Sequence, residues 1–79
     1  MLKYKFAVMP ELSKKGYSAR RLRNEHLLAE STMTKLRRSE SISWDNIDTI
    51  CRLLQCQPSD LLMWVEDDND NNDVSSNNT

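Results

Sequence analysis

Glycine occurs once, proline twice, histidine once and cysteine twice in the 79 residues of this chain. Each scarcity excludes something. A β-sandwich needs turn residues every ~8–12 positions, and one glycine with two prolines cannot supply them. The single histidine, His26, is far in sequence from Cys51 and Cys56, so no zinc-type ligand set can be read. No stretch approaches ~18 consecutive apolar residues, the length of a membrane span. The N-terminal run MLKYKFAVMP starts basic but lacks a continuous apolar core and a small-residue cleavage site, so it does not read as a signal peptide. There is no Gly-rich phosphate loop, no activated nucleophile and no metal-ligand cluster. The chain therefore reads as a non-enzyme that uses no cofactor, no metal and no small-molecule ligand.

What is present favours helices. Hydrophobic residues make up 38% of the chain, enough for one small core, and Leu, Arg, Lys and Glu are good helix formers. The expected fold is all-α, in one domain.

The net charge of −1 hides two opposed halves. Residues 1–40 carry ten Lys/Arg against four acids, a net +6, whereas residues 41–79 carry Arg52 against eight acids, a net −7. Such asymmetry points to contact with a nucleic acid or another anionic surface. Five of the eight acids fall in EDDNDNNDVSSNNT, residues 66–79. That segment has one apolar residue and cannot bury enough surface to offset its ordering entropy. It is expected to be a disordered, solubilising tail; a sharper reading is that it competes with DNA for the basic half. Residues 3–65 are the expected folded unit.

Along that unit, Leu2, Tyr4 and Phe6 alternate with lysines, a period that fits a short N-terminal strand. A first helix over about 7–15 places Val8, Met9 and Leu12 inward, with Pro10 in its first turn and Gly16 as its stop. Ser18 caps a second helix over about 19–26, whose inward residue is Leu22. Leu27-Leu28-Ala29 connects it to a third helix over about 30–38, with Met33 and Leu36 on one face. Ser43 caps a fourth helix with Asp45 in its first turn. In that helix Ile47, Ile50, Cys51 and Leu54 form an i, i+3, i+4, i+7 stripe. Pro58 opens a fifth helix, where Leu61, Trp64 and Val65 keep the spacing of a buried face.

Cys51 and Cys56, five apart on one helix, would be rotated by ~140° and offset by ~7.5 Å, beyond disulfide reach. They read as two reduced, mostly buried small hydrophobes, which suits a cytoplasmic protein. Trp44 and Trp64 read as core or dimer-interface anchors, and His26 as a surface or helix-end residue.

The second and third helices have the spacing of a pair joined by a 3–4 residue turn. The stretch GYSARRLRNEHLLAESTMTKLRRSESISWDNIDTICRLLQCQPSDLL resembles the Cro/C1-type, or xenobiotic-response-element-type, helix-turn-helix regulators. It is most similar to small bacterial and prophage members whose last helix opens with CQPxDLL. The resemblance covers residues 4–65 and rests on Ser31-Thr32-x-x-Lys35-Leu36-Arg37, on Ser43–Cys51 and on Cys56–Leu62. It implies a five-helix lambda-repressor-like domain whose third helix is the recognition helix. Glu30, Ser31, Thr34 and Lys35 would then face base edges: Lys35 can donate to guanine O6 and N7, and Glu30 can accept from cytosine N4. Ser18, Arg20, Arg23, Arg37 and Arg38 are the implied phosphate contacts. Glu30 has a second use, as an acid complementing the helix dipole.

The chain departs from the family pattern at several places. Ala19 stands where a glutamine usually touches phosphate, and Arg23 where a small residue is usual. Leu27 and Ser39 occupy glycine positions, and Ala29 occupies that of a hydroxyl cap. The implied function is a repressor-like homodimer on double-stranded DNA, joined through either Lys3–Phe6 or the fifth helix with Trp64. The alternative is a helix-turn-helix-derived protein-interaction module, an anti-repressor, co-regulator or antitoxin-like partner, for which Ala19, Arg23 and Leu27 argue.

Overall fold

The computed structural model describes residues 1–66 of the chain. The order is β1 (Leu2–Tyr4), α1 (Val8–Lys14), α2 (Ala19–Asn24), α3 (Glu30–Arg37), α4 (Trp44–Leu54), α5 (Pro58–Leu61) and β2 (Leu62–Trp64). The five helices and the N-terminal strand are those expected. Beyond Glu66, the expectation of a disordered tail lies outside the described residues.

Two of the helix starts are serine caps. Ser18 Oγ accepts the Arg21 N–H at 3.2 Å, and Ser43 Oγ accepts the Asn46 N–H at 3.2 Å. Each satisfies one donor that the first turn leaves without a helical partner. Pro58 begins α5, and the Asp60 carboxylate accepts the Gln57 N–H at 2.9 Å, closing a single turn.

All four longer helices end in the same way, although the chain has one glycine. At each stop the residue in the left-handed region donates back to a carbonyl three residues earlier, and the next residue to a carbonyl five earlier. These are the paired bonds of a Schellman motif. For α1 they are Gly16 to Ser13 at 2.9 Å and Tyr17 to Leu12 at 2.8 Å; for α2, His26 to Arg23 at 3.2 Å and Leu27 to Leu22 at 2.9 Å. For α3 they are Ser39 to Leu36 and Glu40 to Lys35; for α4, Gln55 to Arg52 and Cys56 to Cys51. Only Gly16 adopts positive φ without a Cβ; His26, Ser39 and Gln55 sit at φ 55°, 58° and 55°. A side chain in that region costs about 1 kcal/mol. His26 is thus a helix-end residue, as expected, and the left-handed turn falls on it rather than on Leu27.

The core is built from every helix: Val8 and Leu12, Leu22, Met33 and Leu36, Ile50 and Leu54, and Leu61, with Leu28 from the connection after α2. The stripe read on α4 holds, with Ile47 and Cys51 half-buried at its margin. Thr32 is the buried polar residue among those described, and its Oγ1 accepts from Asn46 Nδ2 at 3.0 Å. That bond ties α3 to α4 and relieves the penalty of a buried hydroxyl.

The chain differs from the sequence expectation after Leu61. Trp64 and Val65 do not continue a helix. Leu62–Trp64 pairs antiparallel with β1 in the register Leu2↔Trp64, Lys3↔Met63, Tyr4↔Leu62. Beyond the ladder, the Val65 N–H donates to the Met1 carbonyl at 2.8 Å, the Met1 amino group donates to the Val65 carbonyl, and Lys5 N–H donates to Leu61 O at 2.8 Å. Strand pairing wins because it satisfies the backbone of β1, which has no other partner strand among the described residues. Trp64 is consequently 67% exposed and Trp44 90% exposed, so neither is a core anchor.

The cysteines also differ. The left-handed turn at Gln55 ends α4 before Cys56, so the two are not on one helix, and the rotation and offset expected of them do not apply. Both are free thiols, each half-buried.

Candidate nucleic-acid interface

α3 is positioned by its buried side. Met33 and Leu36 enter the core, Thr32 is held by Asn46, and the opposite side carries polar groups into solvent. Glu30, Ser31, Lys35, Arg37 and Arg38 are exposed, and Thr34 is half-buried. Tyr4 pins the segment that follows, its hydroxyl donating to the Glu40 carbonyl at 2.6 Å. Burial pushes the Tyr4 phenol above its ordinary value, so it stays a neutral donor.

Three of the expected DNA contacts meet one another. Arg23 Nε donates to Glu30 Oε1 at 2.8 Å, and Arg37 Nη1 stands 3.8 Å from Glu30 Oε2. Arg23 comes from α2, so this carboxylate links the end of one helix to the start of the next. All three side chains are about half exposed, and a pair so exposed contributes ~0.2–1 kcal/mol. The arrangement is therefore easily exchanged for phosphate. Arg23 occupies one acceptor site of Glu30, and with Arg37 at 3.8 Å the carboxylate keeps others open to a base.

Arg23 occupies a position where a small side chain allows close helix approach. Here it turns outward and is exposed. Ser18 is engaged as the cap of α2, its Oγ already accepting from Arg21. Arg20, Lys35 and Arg38 have no ion-pair partner among the described residues. Ala29 precedes α3 without capping it through a side chain, so the acid that complements the start of α3 is Glu30.

Two further features lie outside the expected DNA contacts. Arg21 has a structural role: its Nε donates to Glu25 at 2.8 Å, its Nη1 donates to the Gly16 carbonyl at 3.1 Å, and its guanidinium lies 4.5 Å from the centre of the Tyr17 ring. The bond to Glu25 holds its pKa above the ordinary value. The i, i+4 spacing of Arg21 and Glu25 was the available signal. The second feature is apolar. Leu2 and Trp64 are cross-strand neighbours, and Leu2 shares a groove of about 280 Å³ with Tyr4, Ile42, Trp44 and Leu62. Leu2, Met63, Trp44 and Trp64 are all substantially exposed.

No helix of the described residues is long and apolar enough to cross a membrane. A family model described as a Cro/C1-type HTH DNA-binding domain matches residues 11–67. No curated protein and no solved structure gives a significant match.

Proposed function

This chain belongs to the Cro/C1-type helix-turn-helix DNA-binding family, and on that footing we propose that it is a sequence-specific, repressor-like regulator acting in the cytoplasm as a homodimer on double-stranded DNA. α3 enters the major groove. Glu30, Ser31, Thr34 and Lys35 face base edges. Arg20, Arg23, Arg37 and Arg38 take the backbone, together with the start of α2 behind Ser18. The observation that carries this reading is the two-sided character of α3, with one side locked in the core and the other presenting Ser31, Lys35 and two arginines to solvent.

Leu2 and Trp64, exposed cross-strand neighbours on one face of the sheet, and Trp44 near Leu2 support self-association, since an exposed apolar patch marks an interaction surface. Both segments expected to form the dimer contact, the N-terminal strand and the chain around Trp64, are in that one sheet. A two-fold arrangement would set the two copies of α3 ~34 Å apart on a roughly palindromic site.

The test is a fluorescence-anisotropy titration against duplex from the protein's own promoter region, over a range of salt. Neutralising ~4–6 phosphates predicts that log affinity falls against log salt with a slope of about −4 to −5. A flat response removes the DNA reading. It would favour the protein-interaction module, for which the pairing of Glu30 with Arg23 and Arg37 is the supporting observation.

A further inference from the structure

The end of α4 holds two groups for which DNA contact has no use. Gln55 turns left-handed, its N–H donates to Arg52 O at 3.3 Å, and the Cys56 N–H donates to Cys51 O at 3.0 Å. A stop of this kind folds the residue after the turn back over the residue five before it, where the two side chains meet. At the ends of α1 and α2 the pairs so placed are apolar, Leu12 with Tyr17 and Leu22 with Leu27. At the end of α4 they are both of the chain's cysteines.

The two thiols line one open cleft of about 400 Å³ together with Trp44, Arg52 and Pro58. Both are free and half-buried, so a small reagent can reach them. Burial pushes the Cys51 thiol up, and Cys56 beside it raises it further.

We propose that Cys51 and Cys56 are a modification site, a dithiol that closes to an intramolecular disulfide by exchange with a low-molecular-weight disulfide of the glutathione type. The Cys56 thiolate attacks one sulfur of the reagent and breaks its S–S bond. One thiol is released and a mixed disulfide remains on Cys56. The Cys51 thiol then gives up its proton and attacks the Cys56 sulfur, expelling the second small thiol. The protein loses two electrons and two protons, and the reagent gains both as two thiols. The raised pKa of Cys51 favours Cys56 as the first attacker. The site does not depend on whether the chain binds DNA.

The test uses the full chain in mixtures of oxidised and reduced glutathione, read by intact mass and by counting alkylated thiols. The wild type is expected to become two hydrogens lighter while staying one chain on a non-reducing gel, losing both thiols together. Cys51→Ser and Cys56→Ser should each stop at one attached glutathione, with Cys51→Ser reacting faster. In a Trp64→Phe background, closure should also lower the Trp44 fluorescence. The same exchange in urea measures what the fold contributes: the folded chain should favour closure by about tenfold or more, as an effective concentration. Accumulation of two attached glutathiones, cross-linked pairs of chains, or equal closure in urea and buffer would each overturn the proposal.

Discussion

The outward side of α3 and the face built from β1, β2 and the start of α4 both put large side chains into solvent, but of opposite kinds. α3 presents hydroxyls, a lysine, two arginines and one acid, the acid being paired with Arg23 of α2 and Arg37. The sheet presents Leu2 and Trp64 beside an almost fully exposed Trp44. Paired surface charges are held by ~0.2–1 kcal/mol and exchange readily for phosphate. Exposed indoles and aliphatic chains gain only by being covered. The first surface suits a polyanion, the second suits another apolar face, and one small domain carries both.

The comparison breaks most severely if α3 is blunted. Lys35→Ala combined with Arg37→Ala should weaken operator binding about tenfold to a hundredfold, at roughly 1–3 kcal/mol for a lost base contact, while circular dichroism stays unchanged. Equal binding by the double variant would show that the polar face is only a solvated surface. On the other side, Trp64→Asp should raise the dimer dissociation constant by about tenfold or more in sedimentation equilibrium, as expected for removing an aromatic anchor. Helix content should be retained, because Trp64 already lies in solvent. An unchanged association constant would remove the sheet from the dimer contact.

Much of this was legible beforehand, and the parts that were not share a cause. The caps at Ser18 and Ser43, the α4 stripe and the inward Leu22, Met33 and Leu36 depend on residues within one or two turns of each other, and they were read correctly. Trp64 was misread because Leu61, Trp64 and Val65 satisfy a helical spacing, while the competing partner, Leu2, is 62 positions away. The spacing puts Cys51 and Cys56 on one helix because the stop at Gln55 uses no glycine to announce it. The link from Arg23 to Glu30 crosses the turn between two helices, and only the packed pair of helices brings those residues together. Long-range pairing and left-handed turns without glycine are what local patterns miss.

Smaller effects sharpen the contrast between the two surfaces. Asn46→Ala removes the partner of the buried Thr32 hydroxyl and should lower unfolding free energy by about 1–2 kcal/mol, as read by urea denaturation. Because that bond seats α3, operator affinity should fall with it. Glu30→Gln frees Arg23 and Arg37, so affinity for mixed-sequence duplex should rise by about twofold to fivefold, within the range of a surface pair, and its salt dependence should steepen. A fall in affinity for every sequence would show that the carboxylate organises the arginines for binding. His26→Gly, Ser39→Gly and Gln55→Gly should each stabilise by about 0.5–1 kcal/mol, by relieving the left-handed strain against glycine's larger unfolded-state entropy. Thermal denaturation checks each one, and these changes should leave both surfaces unaltered.

The central claim is that α3 reads sequence while the apolar face joins two copies, and selection from a pool of randomised duplexes tests both parts together. The expected outcome is an enriched palindromic motif with half-sites about 10 base pairs apart, degraded when Lys35→Ala is used in place of the wild type. Recovery of duplexes without a shared motif, or the same motif with Lys35→Ala, would contradict it.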